Sequence, residues 1–78
     1  MKRQVFHSIK DKNGWKVTKA GGQTASRHDT QKEAEQAAID AGRKAQKSGR
    51  LGQAVLHKSD GVIREERTYG ADPEKTPG

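Results

Sequence analysis

Hydrophobic and polar residues alternate along two stretches near the start of the chain, and a period of two is typical of β-strands. Residues 4–10 place Val5, His7 and Ile9 on one side and Phe6, Ser8 and Lys10 on the other. Residues 15–19 alternate again, with Trp15 and Val17 on one face. Asn13-Gly14 lies between the two stretches and predicts a hairpin turn, because both residues tolerate positive φ. Residues 24–28 predict a short third strand.

A helical pattern begins at Thr30. Thr30 and Glu33 have the spacing of a capping box, in which each side chain bonds the other residue's amide. Five alanines then fall on one stripe at helical spacing, which suits close packing on a sheet: Ala34, Ala37, Ala38, Ala41 and Ala45. We predict a helix that runs to about Lys47 and ends at Gly49, which suits a left-handed cap.

A second hairpin is predicted after the helix. Residues 54–58 alternate, Ser59-Asp60-Gly61 is a tight-turn sequence, and residues 62–69 form the return strand. On that strand Ile63 and Tyr69 are expected on one side, and Arg64, Glu66 and Thr68 on the other. The predicted fold is α+β, with one helix packed on an antiparallel sheet built from two hairpins, in the order β-β-(β)-α-β-β. Residues 1–70 are expected to form a single domain and residues 71–78 a disordered tail.

The composition predicts a small core. Hydrophobic residues make up only 28% of the 78 residues, so Trp15 is expected to be a main core residue and a homodimer is a natural way to gain stability. The chain has no cysteine and no apolar stretch typical of a signal peptide or a membrane span. We therefore expect a cytoplasmic protein that does not enter a membrane.

The net charge of +6 is concentrated in residues 1–28, whereas residues 29–49 and 50–78 are each neutral. Such asymmetry indicates an anionic partner, either nucleic acid or an acidic protein, or simply a solvated surface. If the partner is nucleic acid, the predicted contacts are Lys10, Lys12, Lys16, Lys19 and Arg27. Lysine outnumbers arginine there, which favours phosphate contacts over the reading of bases.

No pattern for catalysis, metal binding or cofactor binding is recognised. His7, His28 and His57 lack the spacing of metal ligands. His7 and His57 share faces with apolar neighbours and are expected to pack half-buried. The glycines match no phosphate-binding loop, and we expect neither an enzyme nor a cofactor. Ile39 lies off the alanine stripe, where it is either a flank contact of the core or an exposed anchor for a partner.

Several of these residues together resemble a known family. Gly14-Trp15-x-Val17, Thr30-x-x-Glu33-Ala34, His57-x-x-Asp60-Gly61-x-Ile63 and Tyr69-Gly70 are similar to the bacterial domain-of-unknown-function family number 2188, from Val5 to Asp72. That family implies a fold and no activity. Residues 14–38 also resemble the AP2-like arm-binding domain of phage integrases, which implies DNA-facing positions at Lys16, Thr18, Lys19 and Arg27.

Two functions follow as expectations. The first is a non-catalytic protein-interaction or accessory module that works through a sheet edge or Ile39. The alternative is a nucleic-acid-binding domain that uses the basic N-terminal hairpin.

Overall fold

The computed structural model describes residues 3–19 and 22–70, which form a five-stranded sheet with one helix packed on it. The strands are β1 (Arg3–Asp11), β2 (Gly14–Lys19), β3 (Thr24–His28), β4 (Leu51–His57) and β5 (Ile63–Tyr69), and the helix α1 (Gln31–Lys47) lies between β3 and β4 in the chain. Their order across the sheet is β3-β2-β1-β4-β5. The α+β class, the single helix and the third strand are confirmed.

The prediction of a purely antiparallel sheet is wrong at its centre. β1 pairs with β2, β2 with β3, and β4 with β5 in antiparallel fashion, but β1 and β4 run parallel. The cause is the connection between the two halves of the sheet. α1 returns the chain to the end where β3 began, as in any strand–helix–strand crossover, so β4 runs in the direction of β3 and β1.

The first hairpin turn forms at the predicted place with different backbone roles. Lys12 and Asn13 are its turn residues, Asp11 pairs with Gly14, and no non-glycine residue among those described has a positive φ. Gly14 takes the unusual conformation instead, with φ of 148°. Glycine has no Cβ and adopts such a conformation at less cost than asparagine does.

The helix has the predicted N-cap at Thr30, with one of the two bonds of the predicted capping box. Thr30 precedes it in an extended conformation, and the amide of Glu33 donates to the Thr30 hydroxyl oxygen at 3.2 Å. At the other end, the backbone amides of Ser48, Gly49 and Arg50 donate to carbonyls of the last turn. Gly49 has a φ of 88°. The alanine stripe faces the sheet, with Ala34, Ala38 and Ala45 buried and Ala37 and Ala41 partly buried.

β4 begins at Leu51, before its predicted start at Ala54, and there it makes a very close backbone contact with the helix. An added Cβ on Gly52 would collide with the carbonyl oxygen of Gly42 in α1. The side chains of the first β4 residues show weak alternation, so the sequence pattern did not reveal the strand there. Gly52 pairs with both neighbouring strands, and it fits beneath the helix because it has no side chain.

The core lies between α1 and one face of the sheet. It contains Phe6 from β1, Trp15 and Val17 from β2, Ala54 and Leu56 from β4, and the helix alanines. Trp15 is 8% exposed, which confirms it as a core residue. Ser8 is also completely buried in this layer.

A β-bulge makes one prediction about β5 wrong. The register between β4 and β5 shifts between Leu56 and His57, so that Ile63 pairs with His57 and Tyr69 with Gly52. Ile63 therefore lies on the face away from the helix, whereas Tyr69 packs against the core. The extra residue of a bulge reverses the alternation, and Arg64 accordingly reaches Glu35 on the helix.

Two further predictions concern the C-terminal tail and the membrane. The predicted tail, residues 71–78, lies outside the described residues. Within residues 3–19 and 22–70, no helix is long and apolar enough to cross a membrane.

Candidate functional site

The helix covers one face of the sheet, and the opposite face is left uncovered by the described residues. We call this surface the open face. The pairing registers place the following residues on it: Arg3, at the start of β1, with Val5, His7 and Ile9 of the same strand, Lys16 and Thr18 of β2, Thr24 and Arg27 of β3, Leu51, Gln53, Val55 and His57 of β4, and Ile63, Glu66 and Thr68 of β5. The centre is apolar apart from Gln53 and two histidines. Most charged and hydroxyl groups lie on the outer strands.

His7 and His57 meet in the middle of the open face. His7 Nδ1 lies 3.0 Å from His57 Nε2, and His57 Nδ1 lies 3.0 Å from the carbonyl oxygen of Gly61. A carbonyl can only accept, so His57 Nδ1 holds a proton and donates it to Gly61. In the neutral pair, His57 Nε2 is then the acceptor for the Nδ1–H of His7.

The histidine pair resists taking up two protons. Burial lowers the pKa of His7, and the neighbouring His57 lowers it further, while Glu66 opposes the shift. With both rings doubly protonated, two N–H groups would point at each other across the 3.0 Å contact. The folded protein therefore disfavours the protonated form of His7, and a neutral ring suits an apolar surface.

The third histidine does not join this pair. His28 is paired in register with Trp15 on the helix side of the sheet, and its Nε2 lies 2.8 Å from the hydroxyl of Ser26. Among the described residues, no group of three or more His, Asp and Glu side chains is placed to hold a metal ion.

The outer strands of the open face differ in charge. On one flank, Lys16 lies next to Arg27, and Arg27 forms an ion pair with Asp11. The backbone amide of Lys12 lowers the pKa of Asp11, with smaller contributions from Lys16 and Arg27. On the other flank, Glu66 is exposed beside Val55. One flank is thus basic and the other acidic, with the apolar centre between them.

The five residues predicted to bind nucleic acid are not gathered on one surface. Lys16 and Arg27 lie on the open face, but Lys10 and Lys19 pair with Trp15 and Phe6 on the helix side. Lys12 is in the turn, and the ammonium of Lys10 lies 6.0 Å from the centre of the Trp15 ring. Nucleic-acid binding by these residues stays a prediction. A nucleic acid that contacted all five would have to extend around both faces of the hairpin.

Ile39 and the sheet edges are the other predicted interaction sites. Ile39 is partly buried and packs against the core, as the flank-contact alternative expects. The edge strand β3 has only five residues, and the edge strand β5 is rich in charge, with Arg67 paired to Glu65. Short and charged edges discourage the addition of another strand, so the open face is the better candidate.

The fold and this surface define a small two-layer α+β domain with one helix-covered and one open sheet face. A family model described as an uncharacterised protein conserved in bacteria (DUF2188) matches residues 5–69, and the chain belongs to this bacterial family. The resemblance to arm-binding domains receives no support from that match. Comparison with curated proteins and with solved structures gives no match.

The histidine pair is the part of the site that sequence reasoning missed. His7 and His57 are 50 residues apart, and the alternation of each strand predicts only a local packing role for its histidine. A signal was available, because both lie on the same side of their strands as the half-buried apolar residues. What the sequence lacked was the parallel pairing of β1 with β4, which places the two rings side by side.

Proposed function

We propose that the protein is a non-catalytic interaction module that binds a second copy of itself through the open face. The observation that carries this proposal is an apolar centre between a basic and an acidic flank on a sheet face that the helix leaves uncovered. Val5, Ile9 and Leu51 are half-buried, and Ile63 is 48% exposed. A second layer over these side chains would remove apolar surface from water.

The distribution of charge favours a second copy over an unrelated partner. Two open faces can meet around a two-fold axis that runs between β1 and β4 and parallel to them. This operation places β5 of each copy over β2 of the other. Glu66 of each copy then lies near the basic flank of its partner. Such a self-complementary surface is what an isologous dimer requires.

The size of the surface fits a weak dimer. Strands are spaced about 4.8 Å apart and rise about 3.3 Å per residue, so five strands of about six residues cover about 24 by 20 Å. Two such faces bury on the order of 1,000 Å² in total, near the lower limit for a specific interface. We therefore expect association at micromolar to millimolar concentrations.

Sedimentation equilibrium of Glu66→Lys and of the charge-swapped Lys16→Glu/Glu66→Lys protein tests the proposal. Glu66→Lys should weaken the dimer several-fold, because it places like charges on both sides of the axis, and the double variant should restore it. Asp40→Lys is the matched control, since it changes charge equally on the exposed side of α1 and should leave association unchanged.

Two outcomes would overturn the proposal. One is a wild-type protein that stays monomeric up to about 1 mM. The other is equal weakening by Glu66→Lys and Asp40→Lys, which would make association a matter of net charge and not of the open face.

A further inference from the structure

A second surface appears only in three dimensions, at the end of the molecule where β1 and β4 begin and where β2 and α1 end. Six cations from separate parts of the chain lie at this end, and we call them the basic end: Arg3, Lys19, Arg43, Lys44, Lys47 and Arg50. Arg3 pairs in register with Leu51, directly beside Arg50. The described acidic residue on the helix nearest to this end is Asp40.

The basic end accounts for the whole net charge of the protein. Of the residues that the structure describes, eight further cations are matched by eight acidic residues. Asp11, Asp29 and Asp60 all lie at the opposite end, in or beside the turns and the start of α1. The formal charge of +6 therefore corresponds to these six side chains.

The cations of the basic end have no structural task within the described residues that would explain their number. The salt bridges among the described residues involve Arg27, Arg64 and Arg67, and none of these belongs to the basic end. The carbonyls of Lys44, Ala45 and Gln46 accept from the amides of residues 48–50 and from the Ser48 hydroxyl, and no lysine side chain is among these donors. Arg43 lies 5.8 Å from the Tyr69 ring centre and remains exposed.

We propose that the basic end binds the phosphate backbone of nucleic acid. A surface of one sign suits a polymer that repeats one negative charge, and such binding is independent of sequence. A protein partner would call for apolar anchors as well. The most exposed large apolar side chains, Val62 at 55% and Ile63 at 48%, lie at the opposite end of the molecule. This proposal does not depend on the dimer.

Titration of a labelled 20-base-pair DNA duplex at several salt concentrations tests the assignment. Affinity should fall with salt at a log–log slope of about −0.9 for each phosphate contact, so six cations allow a slope of up to about −5. The Lys44→Gln/Lys47→Gln variant should reduce that slope by about 2 and weaken binding at least about tenfold at low salt.

The matched control is Lys32→Gln/Lys58→Gln, which removes the same charge from exposed residues at the opposite end. It should weaken binding less than about threefold, and circular dichroism should show all variants folded. Equal losses in both variants would overturn the assignment, because binding would then follow net charge alone. Absence of duplex binding by the wild-type protein at about 50 μM and low salt would overturn it as well. So would tighter binding of polyglutamate than of DNA, which would indicate an acidic protein partner.

Discussion

Ser8 is the residue at which the core departs most from simple hydrophobic packing. Its side chain is completely buried, and its hydroxyl oxygen has no hydrogen-bond partner among the residues that the structure describes. A buried polar group without a partner loses its hydration and gains nothing in exchange. The alternation of β1 places this small polar residue on the helix side of the sheet, between Phe6 and Lys10.

Replacement of Ser8 by alanine should therefore stabilise the protein. We expect the free energy of unfolding to rise by about 1 kcal/mol, since an unsatisfied buried hydroxyl costs about 1–3 kcal/mol and the change in volume is small. Urea denaturation measures the difference. Ser26→Ala is the control and should lower stability, because the Ser26 hydroxyl bonds His28. A Ser8→Ala protein less stable than wild type would mean that the hydroxyl has a partner.

At the scale of elements, the contact between α1 and β4 sets how closely the two layers approach. Gly52 lies beneath the backbone of Gly42, and an added Cβ on Gly42 would meet the Tyr69 ring at 3.0 Å. The first obstacle is backbone and the second is a side chain that can rotate. The two glycines thus differ in how much the structure can adjust around them.

This difference predicts an order of stability for two alanine variants. Gly52→Ala should lower the free energy of unfolding by about 3 kcal/mol or more, because the helix must move away from the sheet. Gly42→Ala should cost about 1 kcal/mol or less, since Tyr69 can shift and alanine favours a helix. Thermal melting monitored by circular dichroism compares them. The interpretation of the contact would be wrong if Gly52→Ala were the milder change.

At the scale of the whole molecule, the excess positive charge lies at one end of the sheet. The exposed apolar residues lie mainly on the open face. The basic end and the open face are two surfaces that meet at Arg3 and Leu51. The core lies between the same strands and the helix. A two-fold axis parallel to β1 would leave the basic ends of both copies on the same side of the dimer. The two proposals therefore predict that dimerisation strengthens the binding of DNA.

The histidine pair makes overall stability depend on pH. Because the pKa of His7 is lowered from 6.5 in the folded protein, the unfolded chain binds more protons once the pH falls below about 6.5. The stability from His7 is therefore fully present above that pH and is lost as the pH falls through the lower, folded pKa. Melting temperatures between pH 8 and pH 5, measured on dilute monomer, should fall on acidification.

The control for this dependence is His7→Gln, which removes the titrating ring and should flatten the profile over that range. Glu66 faces the pair and opposes the shift, so Glu66→Gln should steepen it. An unchanged slope in His7→Gln would exclude His7 as the cause.

Local chemistry in the sequence determined the elements of this protein. Thr30 and Glu33 define the start of α1, Gly14 the first turn, and the alternation of Trp15 and Val17 the buried face of β2, because each depends on residues within a few positions. The family resemblance could likewise be recognised from such short motifs.

Tertiary structure decided what these elements do together. The parallel pairing of β1 and β4 follows from the path of the helix, and the bulge in β5 from a register that alternation alone cannot show. The His7–His57 contact and the basic end depend on that pairing, since contacts between residues tens of positions apart exist only once the strands have an order and a direction.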